Sequence, residues 1–200
     1  MQYLNRPDYK EKYFKLWETC RDEFFKLEVL PVYEEFDISD WSTVDARKTN
    51  ELICKVQKSI YSSKEKFHSR IFNDGVHFNR IRYIPFPLSK YLLIELSSYM
   101  TSQSIGVNIE VIEDSDLPKI DEKLRHLFSD FVLFDEKHLF KFDNPGGIMT
   151  GGAYYSDQVD EIAPYIQLSN SLKTMSKSLN EYLSLLNIQF INSISDESQP

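Results

Sequence analysis

Six charged residues stand where an apolar element would have to bury them. Arg80 and Arg82 fall on one strand face with Phe78 and Ile84 along VHFNRIRYI, and Glu28 interrupts FKLEVL. Glu95 sits within YLLIEL, while Asp130 and Asp135 bracket FVLF at its two ends. A charge on a largely apolar element requires a partner, because desolvating it alone is costly. One solution is a structural ion pair between Arg80 or Arg82 and Glu28, Glu95 or an aspartate. The other is convergence of these groups on a ligand. A more demanding alternative makes Asp130, Asp135 and Glu95 the acid/base or metal-holding carboxylates of a phosphoester hydrolase or nuclease, which requires a divalent ion.

Other chemistries are poorly served. His68, His77, His126 and His138 contain no i, i+4 pair of the kind that forms a helical metal site, so no metal and no cofactor are expected. No GxSxG elbow is present, and Cys20 and Cys54 lie far apart among apolar neighbours, as buried reduced thiols do. The Gly-rich stretch NPGGIMTGG (Asn144–Gly152) lacks the Lys-Ser/Thr of a P-loop and the GxGxxG spacing. Its glycines suit positive-φ turns, although successive N–H groups there could also hold a small anion.

The elements that must position these residues follow from periodicity. Tyr13, Trp17, Cys20 and Phe24 mark one face of a helix over Tyr9–Phe24, and Phe25–Val32, interrupted by Pro31, suits an edge strand or extended segment. Ser39 and Asp40 could cap a short helix around Trp41, and Leu52, Val56 and Ile60 stripe a longer one from Thr49. Val76–Ile84 alternates as a strand, Leu88–Met100 is helical, and Val107–Ile112 alternates again, a possible right-handed βαβ crossover. Phe131–Phe134 and His138–Phe142 form a hairpin around Asp135-Glu136-Lys137. Leu168, Leu172, Met175, Leu179, Tyr182 and Leu186 keep heptad spacing, which fits a helix packed on the sheet or a homodimer seam over Leu168–Leu186.

The chain of 200 residues, 42% apolar, can bury a core in one α/β or α+β domain over residues 1–190, with a polar tail at 191–200. No apolar run has membrane-spanning length and the start of the chain has no signal-peptide core, so a cytoplasmic location is expected. The net charge of -8 disfavours direct nucleic-acid binding. Against it, Arg47–Arg70 carries seven Lys or Arg residues, either a solvated helix face or a contact surface.

Three segments together resemble an uncharacterised bacterial family, domain of unknown function 6879. They are Leu27, Glu28 and Tyr33; Arg80 and Arg82 with Pro87, Leu88, Ser89, Tyr91, Leu92 and Glu95; and Asp130, Phe131, Leu133, Phe134 and Asp135 before the Gly-rich stretch. The resemblance implies a phospholipase D-like α/β sandwich and a helix-turn-helix regulator as a protein partner. An active enzyme of that superfamily needs His-x-Lys and a following Asp, with the His as nucleophile. If Asp135 is the motif Asp, Phe128 and Asp130 occupy the His and Lys positions, which implies a catalytically silent relative. The expectation is therefore a mixed sheet flanked by helices, acting without catalysis as a regulatory or interaction domain. It would bind a protein partner, or a small ligand near Glu28, Tyr33, Arg80, Arg82, Tyr91, Glu95, Asp130 and Asp135.

Overall fold

The computed structural model describes residues 1–33, 38, 41–144 and 151–186. The Ser39–Asp40 cap, most of the Gly-rich stretch and the 191–200 tail lie outside the described residues. In chain order the elements are β1 (Gln2–Leu4), α1 (Arg6–Thr19), β2 (Glu23–Glu28), α2 (Ala46–Tyr61), α3 (Lys64–His68), β3 (His77–Ile84), α4 (Lys90–Ser104), β4 (Asn108–Glu113), α5 (Glu122–Arg125), β5 (Phe131–Phe134), β6 (His138–Phe142), β7 (Ala153–Ser156), α6 (Val159–Met175), β8 (Lys177–Ser178) and α7 (Leu179–Leu185). One mixed eight-stranded sheet runs β1-β7-β6-β5-β2-β3-β4-β8, so the chain is α/β with helices on both faces.

Strands β2, β3 and β4 are parallel, and β5 to β7 form an antiparallel meander on the other side of β2. The expected β3–α4–β4 crossover is present. Strand β2 is a correction: it is not an edge but lies between β3 and β5. Pro31 does not interfere because the strand ends at Glu28, three residues earlier.

Alternation sorts the side chains. Phe25, Leu27, Ile81, Phe131 and Leu133 face α6, packing with Ile162, Tyr165, Leu168 and Leu172. Phe24, Phe78, Ile84, Val132 and Phe134 face the other way, toward α1, α4 and α7. Lys26, Glu28, Arg80, Arg82 and Asp130 share the alternation of this second set, so the charges project toward α1 and α4.

Two further corrections concern helices. Helix α1 stops at Thr19, and Phe24 belongs to β2, so the four-residue stripe crosses an element boundary. The Leu168–Leu186 stretch is not one helix. Ser176 adopts an extended conformation at the end of α6, and Ser178 caps a separate α7. Leu168 and Leu172 are fully buried on one face of the sheet and Leu179, Tyr182 and Leu183 on the other, so the stretch does not form one continuous helical seam. Cys20 is a buried free thiol as expected, but Cys54 is only half-buried.

Local chemistry fixes the helices around the site. Asn5, Asp45 and Ser89 each accept a backbone N–H at the start of α1, α2 and α4. Gly106 closes α4 at φ +99°, and a Cβ there would come within 2.9 Å of Ile71 Cδ1.

Candidate ligand-binding site

The register of β2 against β3 sets Lys26 beside Arg80 and Glu28 beside Arg82. Helix α4 lies over this quartet and offers Tyr91, Glu95 and Tyr99 at successive steps of four, which places them on one helical face. Asp130 enters from the start of β5, and Tyr33 follows β2.

The Arg82 side chain is fully buried and fully committed. Its Nε donates to Glu95 Oε2 (2.8 Å), and its terminal nitrogens donate to the carbonyls of Glu28 (3.1 Å) and Leu30 (2.6 Å). The Tyr33 ring lies 5.3 Å from its guanidinium. Glu95 also accepts from the Tyr91 hydroxyl at 3.3 Å. Glu28 holds Lys26 Nζ at 2.5 Å on one oxygen, and its other oxygen accepts from the Tyr99 hydroxyl at 2.8 Å. Asp130 accepts from Val29 N–H (2.6 Å), the Tyr33 hydroxyl (3.0 Å) and Asn144 Nδ2 (2.8 Å).

Burial sets the protonation of these groups. Burial alone would raise Glu28, but Arg80, Lys26 and Arg82 together hold it below the usual carboxylate range. Glu95 is pushed up to about 7 by burial, with Arg82 opposing and Glu28 adding to the rise. Burial also raises Asp130, against the Val29 N–H that favours its charge.

Arg80 differs from Arg82. Its Nε lies 3.4 Å from Glu28 Oε2, an ion-pair distance, yet Nε is buried without a hydrogen bond. Its guanidinium sits 5.3 Å from the Tyr99 ring, and its terminal nitrogens donate to no group among the described residues. About 27% of the side chain stays accessible, where it lines a cavity of about 260 Å³. Five aromatic residues share the walls, Tyr13 and Trp17 of α1, Phe24 of β2, Phe67 of α3 and Phe78 of β3, with Ile60, Ile105 and Val107 and the polar Ser59, Ser63, Asn79 and Ser102 completing them. Trp17, Phe67 and Phe78 pack ring against ring at 5.4–5.9 Å. A smaller cavity of about 100 Å³ lies between Tyr9, Tyr13, Lys26, Glu28 and Asp130, so Tyr13 lines both.

The structure thus brings together seven of the eight sequence-derived candidates: Glu28, Tyr33, Arg80, Arg82, Tyr91, Glu95 and Asp130. Asp135 is elsewhere. It sits at the opposite end of β5, where its carboxylate accepts from the N–H groups of Arg21 (3.0 Å), Asp22 (2.8 Å) and Glu23 (3.1 Å) and from Cys20 Sγ (3.1 Å). Those donors hold Asp135 below the usual aspartate range despite its partial burial. The trio Asp130, Asp135 and Glu95 is therefore split, and no group of three His, Cys, Asp or Glu able to hold a metal occurs among the described residues. Phe128 packs edge-on to Tyr83, on the side of the sheet away from the cluster.

Sequence reasoning missed Lys26, Tyr99, Tyr13 and the cavity. Two of these carried a signal: Lys26 is two residues from Glu28 on the same strand face, and Tyr99 is four from Glu95 on the same helix face. The basic Arg47–Arg70 stretch is not one exposed face. Arg70 turns inward and donates to the Trp17 and Cys20 carbonyls, while Arg47 pairs with Glu51. No described helix is long and apolar enough to cross a membrane.

The model of the family described as "Domain of unknown function (DUF6879)" matches residues 11–184. No curated protein matches the chain. Among solved structures the chain is similar to one described as "Structure of TrmBL2, an archaeal chromatin protein, shows a novel mode of DNA binding", at 10% identity and a TM-score of 0.47. The match covers 88% of this chain and 52% of that one, so the chain spans about half the length of that protein. A likeness this remote carries no argument about function.

Proposed function

The chain belongs to the DUF6879 family, and on that premise we propose that it is a non-catalytic domain that binds a small ligand in the cavity headed by Arg80. One observation carries this reading. Within the buried charge cluster, Arg80 alone has a guanidinium with no hydrogen bond, and it lines a cavity whose other walls are largely apolar. A concave apolar pocket with a few convergent polar groups is the usual form of a ligand site. The carboxylates support the same reading by their commitments. Glu28, Glu95 and Asp130 each accept from neighbouring groups, which leaves none poised to take a proton from a substrate. Most of the cluster is then scaffold: it fixes β2, β3 and α4 so that one cation remains available.

The test is a thermal-shift screen of a metabolite-sized library against the wild type and Ser63→Trp. Ser63 lines the cavity and makes no side-chain capping bond, so the indole fills the site at little structural cost. Ligands that raise the Tm of the wild type but not of the variant are expected. Phosphodiesterase or nuclease turnover with Mg²⁺ or Mn²⁺ that disappears in Asp130→Asn would instead establish the hydrolase reading.

A further inference from the structure

We infer that the ligand of the Arg80 cavity is a compact monocarboxylate with an aromatic body, its carboxylate held by the Arg80 guanidinium and the Tyr13 hydroxyl. This rests on the reading of the cavity as a ligand site and adds the chemistry of its occupant.

Four observations select that class. The first is size. A dry cavity of roughly 150 Å³ accepts benzene, so about 260 Å³ holds one ring with a short side chain and no large conjugate. The second is the wall. Trp17, Phe67 and Phe78 already meet ring to ring, and Phe24 packs on Phe78 at 5.5 Å, so a further ring can join by edge-to-face contact.

The third is the sign of the charge. An aromatic cage alone would also suit a quaternary ammonium, but Arg80 in the same wall repels a cation. Lys66 Nζ already lies over the Trp17 ring at 4.4 Å. Around Glu28 the local balance is positive, since its one carboxylate serves both Lys26 and Arg80. Burial that raises Glu95 and Asp130 increases that excess.

The fourth is the number of donors. The fork of a guanidinium matches a planar carboxylate, and Tyr13, whose hydroxyl has no hydrogen-bond partner among the described residues, stands beside Arg80 in the lining of the cavity. Burial keeps that phenol protonated, which makes it a donor. Arg82 is fully engaged elsewhere, and Lys26, paired with Glu28, lines the smaller cavity instead. A dianionic phosphate would place its second charge near Glu28 with no cation left to meet it.

A head-group series on one ring tests the inference: phenylacetate, phenylacetamide and phenethylamine, titrated calorimetrically into the full chain. The acid is expected to bind at least about tenfold more tightly than the amide, and the amine to show no binding. Arg80→Met should abolish the preference of acid over amide, Arg80→Lys should keep part of it, and Tyr13→Phe, which preserves the packing, should weaken the acid alone. Equal binding of acid and amide, an unchanged preference in Arg80→Met and Tyr13→Phe, or tightest binding of the amine would overturn the ligand class, while loss of all binding in Ser63→Trp would leave the cavity a ligand site. Failure of the whole series, together with an empty library screen, would sink both.

Discussion

Arg82 and Arg80 lie two residues apart on one strand face and have opposite roles. The buried Arg82 satisfies two carbonyls and one carboxylate, so its removal strands three acceptors. Breaking such a pair from one side costs about 3–5 kcal/mol. Arg82→Met should lower the stability in urea by that order, and Arg82→Met with Glu95→Leu should recover part of it, because the unpaired carboxylate goes too. The pH dependence belongs to Glu95. Its folded pKa is raised from 4.5 to about 7, so the folded state holds a proton that the unfolded state releases. Glu95 therefore favours folding below about pH 4.5, and that contribution falls away between there and pH 7. Wild type should lose about 1–3 kcal/mol more than Glu95→Gln when urea unfolding is compared at pH 5 and pH 7.5. An equal loss in both proteins would remove Glu95 as the source.

At the scale of elements, Asp135 shows how a residue singled out for its charge can lie apart from the cluster that the others form. It lies in the hairpin between β5 and β6, where Asp135 and Glu136 both take positive φ, as a type I′ turn requires. From there it ties down the backbone that links α1 to β2. Asp135→Ala should cost about 1–3 kcal/mol through the unpaired N–H groups, and Asp135→Asn less, since Asn tolerates the left-handed conformation and keeps an acceptor. Since the folded pKa is lowered, the contribution is complete above the unfolded aspartate pKa and fades as the pH falls through the folded value. Chemical denaturation of both variants at pH 7 and pH 3 checks the order and the sign. The strands were largely legible because alternation at β3 and β4 and the turn after Phe134 are local signals. The central position of β2 was not, since it depends on pairing with residues more than fifty positions away. The break at Ser176 was hidden because the spacing from Leu168 to Leu186 continues across it although the backbone does not.

Across the whole molecule, the charge cluster was legible and the cavity was not. Charges on apolar elements announce themselves in a sequence, because each needs a partner. A cavity is the space between elements, and its walls come from α1, α2, α3, α4, β2 and β3 at once. Which arginine would be left with unused donors was likewise undecidable from Arg80-Ile81-Arg82, as the answer depends on where α4 sets Glu95.

Helix α1 supplies Tyr13 and Trp17 to that cavity, yet none of its residues is fully buried. Its polar ties lie at its C-terminal end, where Arg70 meets the Trp17 and Cys20 carbonyls and Asp135 holds the backbone just beyond, while Tyr9, Tyr13, Leu16 and Trp17 pack against the core. An element with no fully buried side chain opens at a free energy below that of global unfolding. Amide hydrogens of α1 should therefore exchange ahead of those in β2, β3 and β5, and a cavity ligand should slow α1 selectively, as hydrogen-exchange mass spectrometry would show. Part of any measured affinity would then be the work of restraining this helix, so that two ligands making equal contacts could differ in residence time by how firmly each holds the cover shut.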